Sequence, residues 1–193
     1  MIDIRQLQAA LNVPADGQAG QGTFAALFAR CGAKPDRAAD LGLAAAVHFP
    51  AYGIMDGALR LAHFLAQLMH ESGGFRYMEE IASGAAYEGR GDLGNIKPGD
   101  GMRFKGRGPL QCTGRANYRK YGRLIGIDLE NHPEIAAIPS IGIHVALEYW
   151  KRHGLSTFAD ADNIVSITKL INGGLNGIDD RRKHLATVKR WLA

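Results

Sequence analysis

The stretch LAHFLAQLMHESGGFRY, residues 61–77, sets the fold class of this chain. Between Ala58 and Met69, apolar residues recur three or four positions apart, which is typical of a helix with a wide buried face. This helix runs into Glu71, and Gly73 and Gly74 follow at once. A carboxylate is unusual at this place because the C-terminal end of a helix carries partial negative charge.

The position of Glu71 favours a chemical role. Leu68 lies one turn earlier on the apolar stripe, so Glu71 is expected near the buried face at the helix end. Apolar neighbours and the helix dipole both disfavour the carboxylate anion, and a general acid needs the protonated form. The pattern therefore predicts that Glu71 is a general acid; the alternative is a surface glutamate at a frayed helix end.

Composition narrows the class of protein. The chain has 193 residues, 46% apolar and 22% charged, which is enough to bury a core in one domain with a small appendage. Its net charge of +4 is compatible with attraction to an anionic polymer, and an ordinary solvated surface is the alternative. We expect no metal or other cofactor, since the seven histidines lack ligand spacing. We also expect no membrane insertion, because no apolar run is long enough to span a bilayer.

The chain divides into two predicted units. Residues 1–35 form a small helical unit whose loop and second helix resemble part of a peptidoglycan-binding repeat, with matches at Asp16, Gly17, Gly20, Thr23, Ala26 and Leu27. A simple helical hairpin is the alternative. Residues 36–193 form the main domain, which is predicted to be mostly α-helical.

A Gly-rich segment, residues 73–114, interrupts the helices of the main domain. We expect irregular structure there, with short strands at residues 102–105 and 110–112. Long irregular loops inside compact domains are usually functional, so this segment is predicted to line a cleft.

The Gly-rich segment offers a carboxylate partner for Glu71. Glu88, in AYEGRGDLGN, has Arg90 nearby to keep it ionised, as a general base requires. Glu80, which is closer to the helix, is the rival base. Thr113 is placed to hold a water molecule with the base.

Four motifs together resemble the family 19 glycoside hydrolases, which include plant-type chitinases and many phage or prophage endolysins. They are AHFLAQLMHESGGF, YEGRGDLGN, GDGMRFKGRGPLQCTGRANY and ITKLINGGLNGIDDR, and they cover roughly residues 57–191. The resemblance implies a mostly α, lysozyme-like fold with a deep cleft and an inverting mechanism.

The resemblance also implies roles for individual residues. Glu71 matches the general acid, Glu88 looks like the general base, and Thr113 stands where the family has a Ser or Thr that helps to hold the water. The positions that match substrate-binding residues are His70, Gln111, Asn117, Asn172 and Arg181. Plant-type enzymes carry a Glu at the position of Asn176, and the segment between Glu71 and Glu88 is shorter here.

The leading functional hypothesis is hydrolysis of β-1,4 bonds in peptidoglycan, with a chitinase as the alternative. Both predict a polysaccharide partner and a monomer, with no nucleic-acid partner, since no basic stripe interleaved with aromatic residues is visible. A wall-binding module without catalytic activity is a third hypothesis. With no secretory signal in the sequence, we expect synthesis in the cytoplasm and release to the wall by another system.

Overall fold

The computed structural model describes residues 2–193 and is mostly α-helical, as expected, with 63% of the residues in helices and almost no strand. In chain order, the helices are α1 (Ile4–Ala10), α2 (Gln21–Arg30), α3 (Pro35–Ala51), α4 (Ala58–Glu71), α5 (Asp100–Arg103), α6 (Arg115–Ile125), α7 (Pro139–Arg152), α8 (Leu155–Asp160), α9 (Ile164–Asn172) and α10 (Ile178–Leu192). None of the helices in residues 2–193 is both long and apolar enough to cross a bilayer.

Helix α4 lies at the centre of the main hydrophobic core. Nine consecutive residues of α4, from Leu61 to Met69, are buried because neighbouring helices cover it on several sides. A chain of edge-to-face aromatic contacts crosses this core: Phe24 to Phe49 at 5.3 Å, Phe49 to Phe64 at 5.6 Å, and Phe64 to Trp150 at 5.2 Å between ring centroids. The core therefore joins α2, α3, α4 and α7.

The first two helices contribute to this same core. Leu7 of α1 and Phe24, Leu27 and Phe28 of α2 are fully buried in it together with residues of α4. The division into units at residues 1–35 and 36–193 stays a prediction, and what the structure adds is that both segments share one packed interior.

The Gly-rich segment forms turns and short helices rather than a sheet. Short 3₁₀ helices cover Ala85–Tyr87 and Gly91–Leu93, and α5 follows. The predicted strand at residues 102–105 is wrong, because Met102 and Arg103 belong to α5. Pairing in this segment is limited to isolated antiparallel bridges that join Arg107 to Glu79 and to Cys112.

Ion pairs fasten α5 to α6. Arg115 donates to Asp100, whose side chain is buried, and to Glu130, which also accepts two hydrogen bonds from Arg119 at 2.6 and 2.7 Å. Hydrogen bonding to Arg115 lowers the pKa of Asp100, and bonds from Arg119 and then Arg115 lower the pKa of Glu130 to about 2. Both carboxylates are therefore ionised at neutral pH. Asp100 holds the Gly-rich segment against α6, and Glu130 holds the loop after α6 against the same helix.

Replacement of Gly42 by alanine tests the close approach of α2 and α3. A Cβ atom at residue 42 would lie 2.6 Å from the backbone nitrogen of Ala25 and 2.8 Å from the carbonyl oxygen of Gln21. Because these are backbone atoms, the helices must separate. We expect Gly42→Ala to lower the free energy of unfolding by about 1–3 kcal/mol in urea denaturation.

Gly22→Ala in α2 is the matched control, since a Cβ atom there meets nothing within 4 Å. It should leave stability unchanged or raise it by about 0.5–1 kcal/mol through helix propensity. Equal stability of the two variants would contradict the packing described for α2 and α3.

Candidate active site

Glu71 projects from the end of α4 as the sequence predicts. Ser72 caps the helix: its hydroxyl donates to the Leu68 carbonyl at 2.6 Å and accepts from the Phe75 amide at 2.7 Å. Gly73 and Gly74 then take φ values of +59° and +72°, which turn the chain away from the helix axis. The side chain of Glu71 is left half-buried and open on one side.

A buried guanidinium contacts Glu71. Arg181 of α10 is only 1% exposed, and it donates hydrogen bonds to the carboxylate of Glu71, to the amide oxygen of Gln67 and, at 3.3 Å, to the carbonyl oxygen of Asn176. Gln67 in turn donates to the hydroxyl of Thr168 at 3.4 Å. Arg181 is therefore enclosed by protein atoms, and its contact with substrate stays a prediction.

Arg181 also changes the electrostatics expected for Glu71. The sequence predicted an apolar setting for this carboxyl group, whereas the structure places a cation in contact with it. This partner lies 110 residues away in the chain, so no local pattern announces it. One local signal existed, since Gln67 is a polar residue in the apolar stripe one turn before Glu71.

Glu80 follows the turn after α4, and neighbouring groups hold its carboxylate in place. Its carboxylate accepts a hydrogen bond from the hydroxyl of Tyr87 at 3.0 Å and another from the backbone N–H of Gly106 at 3.1 Å. A Cβ atom on Gly106 would lie 3.3 Å from a carboxylate oxygen of Glu80, 3.3 Å from the hydroxyl oxygen of Thr113 and 2.6 Å from the side-chain oxygen of Gln111. The absence of a side chain at Gly106 thus lets three polar side chains converge.

Glu88 is held elsewhere in the segment. Its two carboxylate oxygens accept hydrogen bonds from the backbone N–H groups of Gly99 and Gly101, both at 2.7 Å, at the start of α5. Arg90, which was expected to keep Glu88 ionised, instead forms a two-bond pair with Asp92 at 2.8 and 2.6 Å. Thr113, the expected partner of the base, lies beside Glu80, so the geometry favours the rival base over Glu88.

A cavity of about 180 Å³ adjoins these groups. Its polar lining includes Gln111, Thr113 and Asn117, and its apolar lining includes Tyr149 and Ile171. Gln111 takes a left-handed φ of +52°, and Asn117 donates to the Thr113 carbonyl at 2.8 Å, so this wall is a fixed turn.

Tyr149 relates the cavity to Glu71. Burial raises the pKa of Tyr149, and the nearby charge of Glu71 raises it further. The same ring lines the cavity that holds Thr113 and Gln111. Tyr149 thus lies within the electrostatic reach of Glu71 and also lines the cavity that Thr113 lines.

Two other predicted substrate residues have local partners. Asn172 at the end of α9 donates to the Asn176 carbonyl at 3.0 Å and accepts from the Gly174 amide at 2.8 Å, so it shapes the loop before α10. The ring of His70 hydrogen-bonds Asp180 at 2.7 Å and packs against Gly177, where a Cβ atom would lie 2.1 Å away. His70 is absent from the lining of the cavity beside Thr113 and forms a contact between α4 and α10 instead.

A family model and the sequences of known relatives match most of this chain. The family model described as Chitinase class I matches residues 28–173. A glycosyl hydrolase family 19 domain-containing protein of Haemophilus influenzae is 32% identical over 156 residues, which are 65% of this chain and 76% of that protein. Endochitinase At2g43610 of Arabidopsis thaliana is 34% identical over 133 residues, which are 68% of this chain and 46% of that protein.

Solved structures share the fold. Chitinase C from Streptomyces griseus superposes with a TM-score of 0.61 at 20% identity, covering 99% of this chain and 92% of that one. A class IV family 19 chitinase from Zea mays superposes with a TM-score of 0.62 at 22% identity, covering 96% and 90%. The chain spans about three quarters of the Haemophilus protein and less than half of the Arabidopsis endochitinase.

Replacement of Gln67 by leucine tests the enclosure of Arg181. Gln67→Leu keeps the side-chain size but leaves one guanidinium N–H and the hydroxyl of Thr168 without their partner. We expect the free energy of unfolding to fall by about 1–3 kcal/mol in urea denaturation. Gln21→Leu, on the exposed side of α2, is the control and should change it by less than about 0.5 kcal/mol. A Gln67→Leu protein as stable as this control would contradict the role given to the buried pair.

Proposed function

The chain belongs to the family 19 glycoside hydrolases, and we propose that it hydrolyses β-1,4 bonds between amino sugars with inversion of the anomeric carbon. The observation that supports this most is a pair of carboxylates in unlike settings, of which Glu80 lies beside two residues that line the cavity, Gln111 and Thr113. Glu71 is joined to a buried cation at a helix end, and Glu80 is held beside Thr113 in a polar turn. Inversion needs an acid on one face of the sugar and a water held by a base on the other.

Glu71 is the proposed acid. It gives its proton to the oxygen of the bond that breaks, and the sugar leaves as an alcohol. The carboxylate that remains is stabilised by Arg181, whose guanidinium already donates to one of its two oxygens. Arg181 is a positioning residue, since it touches Glu71 and is closed off from a bound sugar.

Glu80 is the proposed base. Hydrogen bonds from Tyr87 and Gly106 fix its carboxylate, and the hydroxyl of Thr113 lies on the same side of Gly106. A water held between Glu80 and Thr113 would lose its proton to Glu80 as its oxygen attacks the anomeric carbon. Inverting enzymes place such carboxyl groups about 6.5–9.5 Å apart to leave room for that water.

Three single substitutions test this assignment. Because general acid–base groups contribute about 10²–10⁴-fold, we expect Glu71→Gln and Glu80→Gln each to lower kcat by that factor on N-acetylglucosamine oligomers or purified glycan strands. Glu88→Gln should lose stability, because it weakens two backbone hydrogen bonds, and retain kcat within a few-fold. Glu134→Gln, on the exposed surface, is the control for loss of one charge.

The measurement is initial rate together with urea denaturation, so that unfolding is separated from loss of chemistry. A folded Glu88→Gln protein without activity, beside an active Glu80→Gln protein, would return the role of base to Glu88. Proton NMR of the first product should show the α-anomer; the β-anomer would contradict inversion.

Peptidoglycan is our first candidate substrate. The net charge of +4 suits an anionic wall, and the loop and second helix of residues 1–35 resemble part of a peptidoglycan-binding repeat. Chitin is the second candidate, and the observation that favours it is that several relatives and solved structures are named chitinases or endochitinases. Both polymers carry the bond that the proposed carboxylates would cleave.

Product analysis distinguishes the two substrates. We expect purified sacculi to release soluble, peptide-bearing sugar fragments that mass spectrometry identifies, with kcat/KM per bond at least tenfold above that for chitin oligomers of matched length. Glu71→Gln provides the blank. A higher kcat/KM on chitin oligomers would instead make the protein a chitinase.

A further inference from the structure

Helix α6 holds the positive charge of the chain. Its eleven residues include four cations and no acid, namely Arg115, Arg119, Lys120 and Arg123. The whole chain has a net charge of +4, so α6 alone accounts for all of it and the remaining residues are neutral in sum. Such local concentration is costly for folding, because like charges on one helix repel each other.

The exposed face of α6 and the end of α7 form a groove of about 350 Å³, here called the basic groove, lined by Ala116, Arg119, Lys120, Arg123, Leu124 and Arg152. Arg119 is paired with Glu130. The side chains of Lys120, Arg123 and Arg152 are exposed, and none has a carboxylate within 4.0 Å in residues 2–193. The basic groove thus presents three uncompensated cations and no acidic residue in its lining.

The neighbouring acids on the far side of Arg119 are already engaged. Glu130 accepts from Arg119 and Arg115, and Asp128 accepts from the side chain of Asn131 at 2.7 Å. They leave the three exposed cations free to hold an anion from outside the protein.

The basic groove and the cavity of the candidate active site are built on the same two helices. On α6, Tyr121 lines the cavity, and the ammonium group of the adjacent Lys120 lies 5.1 Å from the centre of its ring. On α7, Tyr149 lines the same cavity, and Arg152 follows one turn later in the basic groove. Both α6 and α7 therefore contribute residues to the cavity and to the basic groove.

From this arrangement we infer that the basic groove binds the carboxylates of a peptide attached to the sugar in the cavity. The inference rests on the proposed hydrolysis of amino-sugar polymers and specifies which of them the site selects. A helix with its side chains is about 10 Å across, and an extended peptide of four residues reaches about 13 Å. An acidic peptide borne on a sugar in the cavity thus reaches the groove, whereas unsubstituted chitin offers no anion to it.

Nucleic acid fits this surface less well. Single-stranded nucleic acid is usually held by exposed aromatic rings that stack on bases, and the apolar members of the groove lining are Ala116 and Leu124. A small aliphatic floor between cations suits a peptide with acidic groups.

The test compares two forms of one glycan: strands that keep their peptides, and the same strands after an amidase has removed them. The variant combines Lys120→Gln, Arg123→Gln and Arg152→Gln. For this variant, we expect the kcat/KM on peptide-bearing strands, divided by the kcat/KM on bare strands, to fall about tenfold. The change should lie in KM. A tenfold effect is about what three exposed ion pairs of ordinary strength provide together. In the unchanged protein, the same ratio should decrease as salt rises from 50 to 200 mM.

A matched control removes the same charge elsewhere through Lys34→Gln, Lys183→Gln and Arg190→Gln, all on exposed side chains. This protein should keep the ratio of the unchanged protein. If the ratio fell equally in both triple variants, net charge alone would explain the effect and the inference would be overturned. An unaltered ratio in the basic-groove variant would also overturn it.

Sedimentation with sacculi of the inactive Glu71→Gln protein, with and without the three groove substitutions, keeps binding separate from hydrolysis. Loss of binding with the groove substitutions supports the inference even if the intact protein cleaves no sacculi, a result that would refute only the proposed function. A single-stranded oligonucleotide is also added as a competitor for sacculus binding. If it competed as strongly as the peptide-bearing strands do, the inference would be overturned in favour of a general polyanion site.

Discussion

The buried guanidinium of Arg181 constrains the rest of the candidate site. A cation taken out of water is tolerated only when hydrogen-bond acceptors surround it. Here these are a carboxylate and an amide one turn apart on α4, Glu71 and Gln67, and a backbone carbonyl at Asn176 in the loop before α10. The position of α10, the shape of the loop and the direction of the Glu71 side chain are thus fixed by one group.

The second carboxylate, that of Glu80, is held in place by contacts of a different kind. Glu80 lies in a segment with little regular structure, and short-range contacts replace a helix as its support. The bridge between Glu79 and Arg107 aligns two stretches of chain, and Gly106 then brings its N–H to Glu80 without a side chain in the way. The ion pair of Asp100 with Arg115 keeps this irregular segment against α6.

Sequence patterns predicted the features that depend on neighbouring residues. The apolar stripe gave the central helix, and the two glycines after Ser72 gave its end at Glu71, because helix periodicity and termination are local properties. Burial of Arg181 was beyond such reasoning, since it arises from the packing of α10 on α4. Gln67 was the one visible hint, as a polar residue amid apolar ones.

The choice between Glu80 and Glu88 shows the same limit of local reasoning. Both are glutamates in a Gly-rich loop, and Arg90 near Glu88 made it the better candidate from sequence. In the structure, Arg90 pairs with Asp92, and the carboxylate of Glu88 accepts hydrogen bonds from the backbone amides of Gly99 and Gly101. What distinguishes the two is which one lies beside Thr113, a property of loop folding over more than thirty residues.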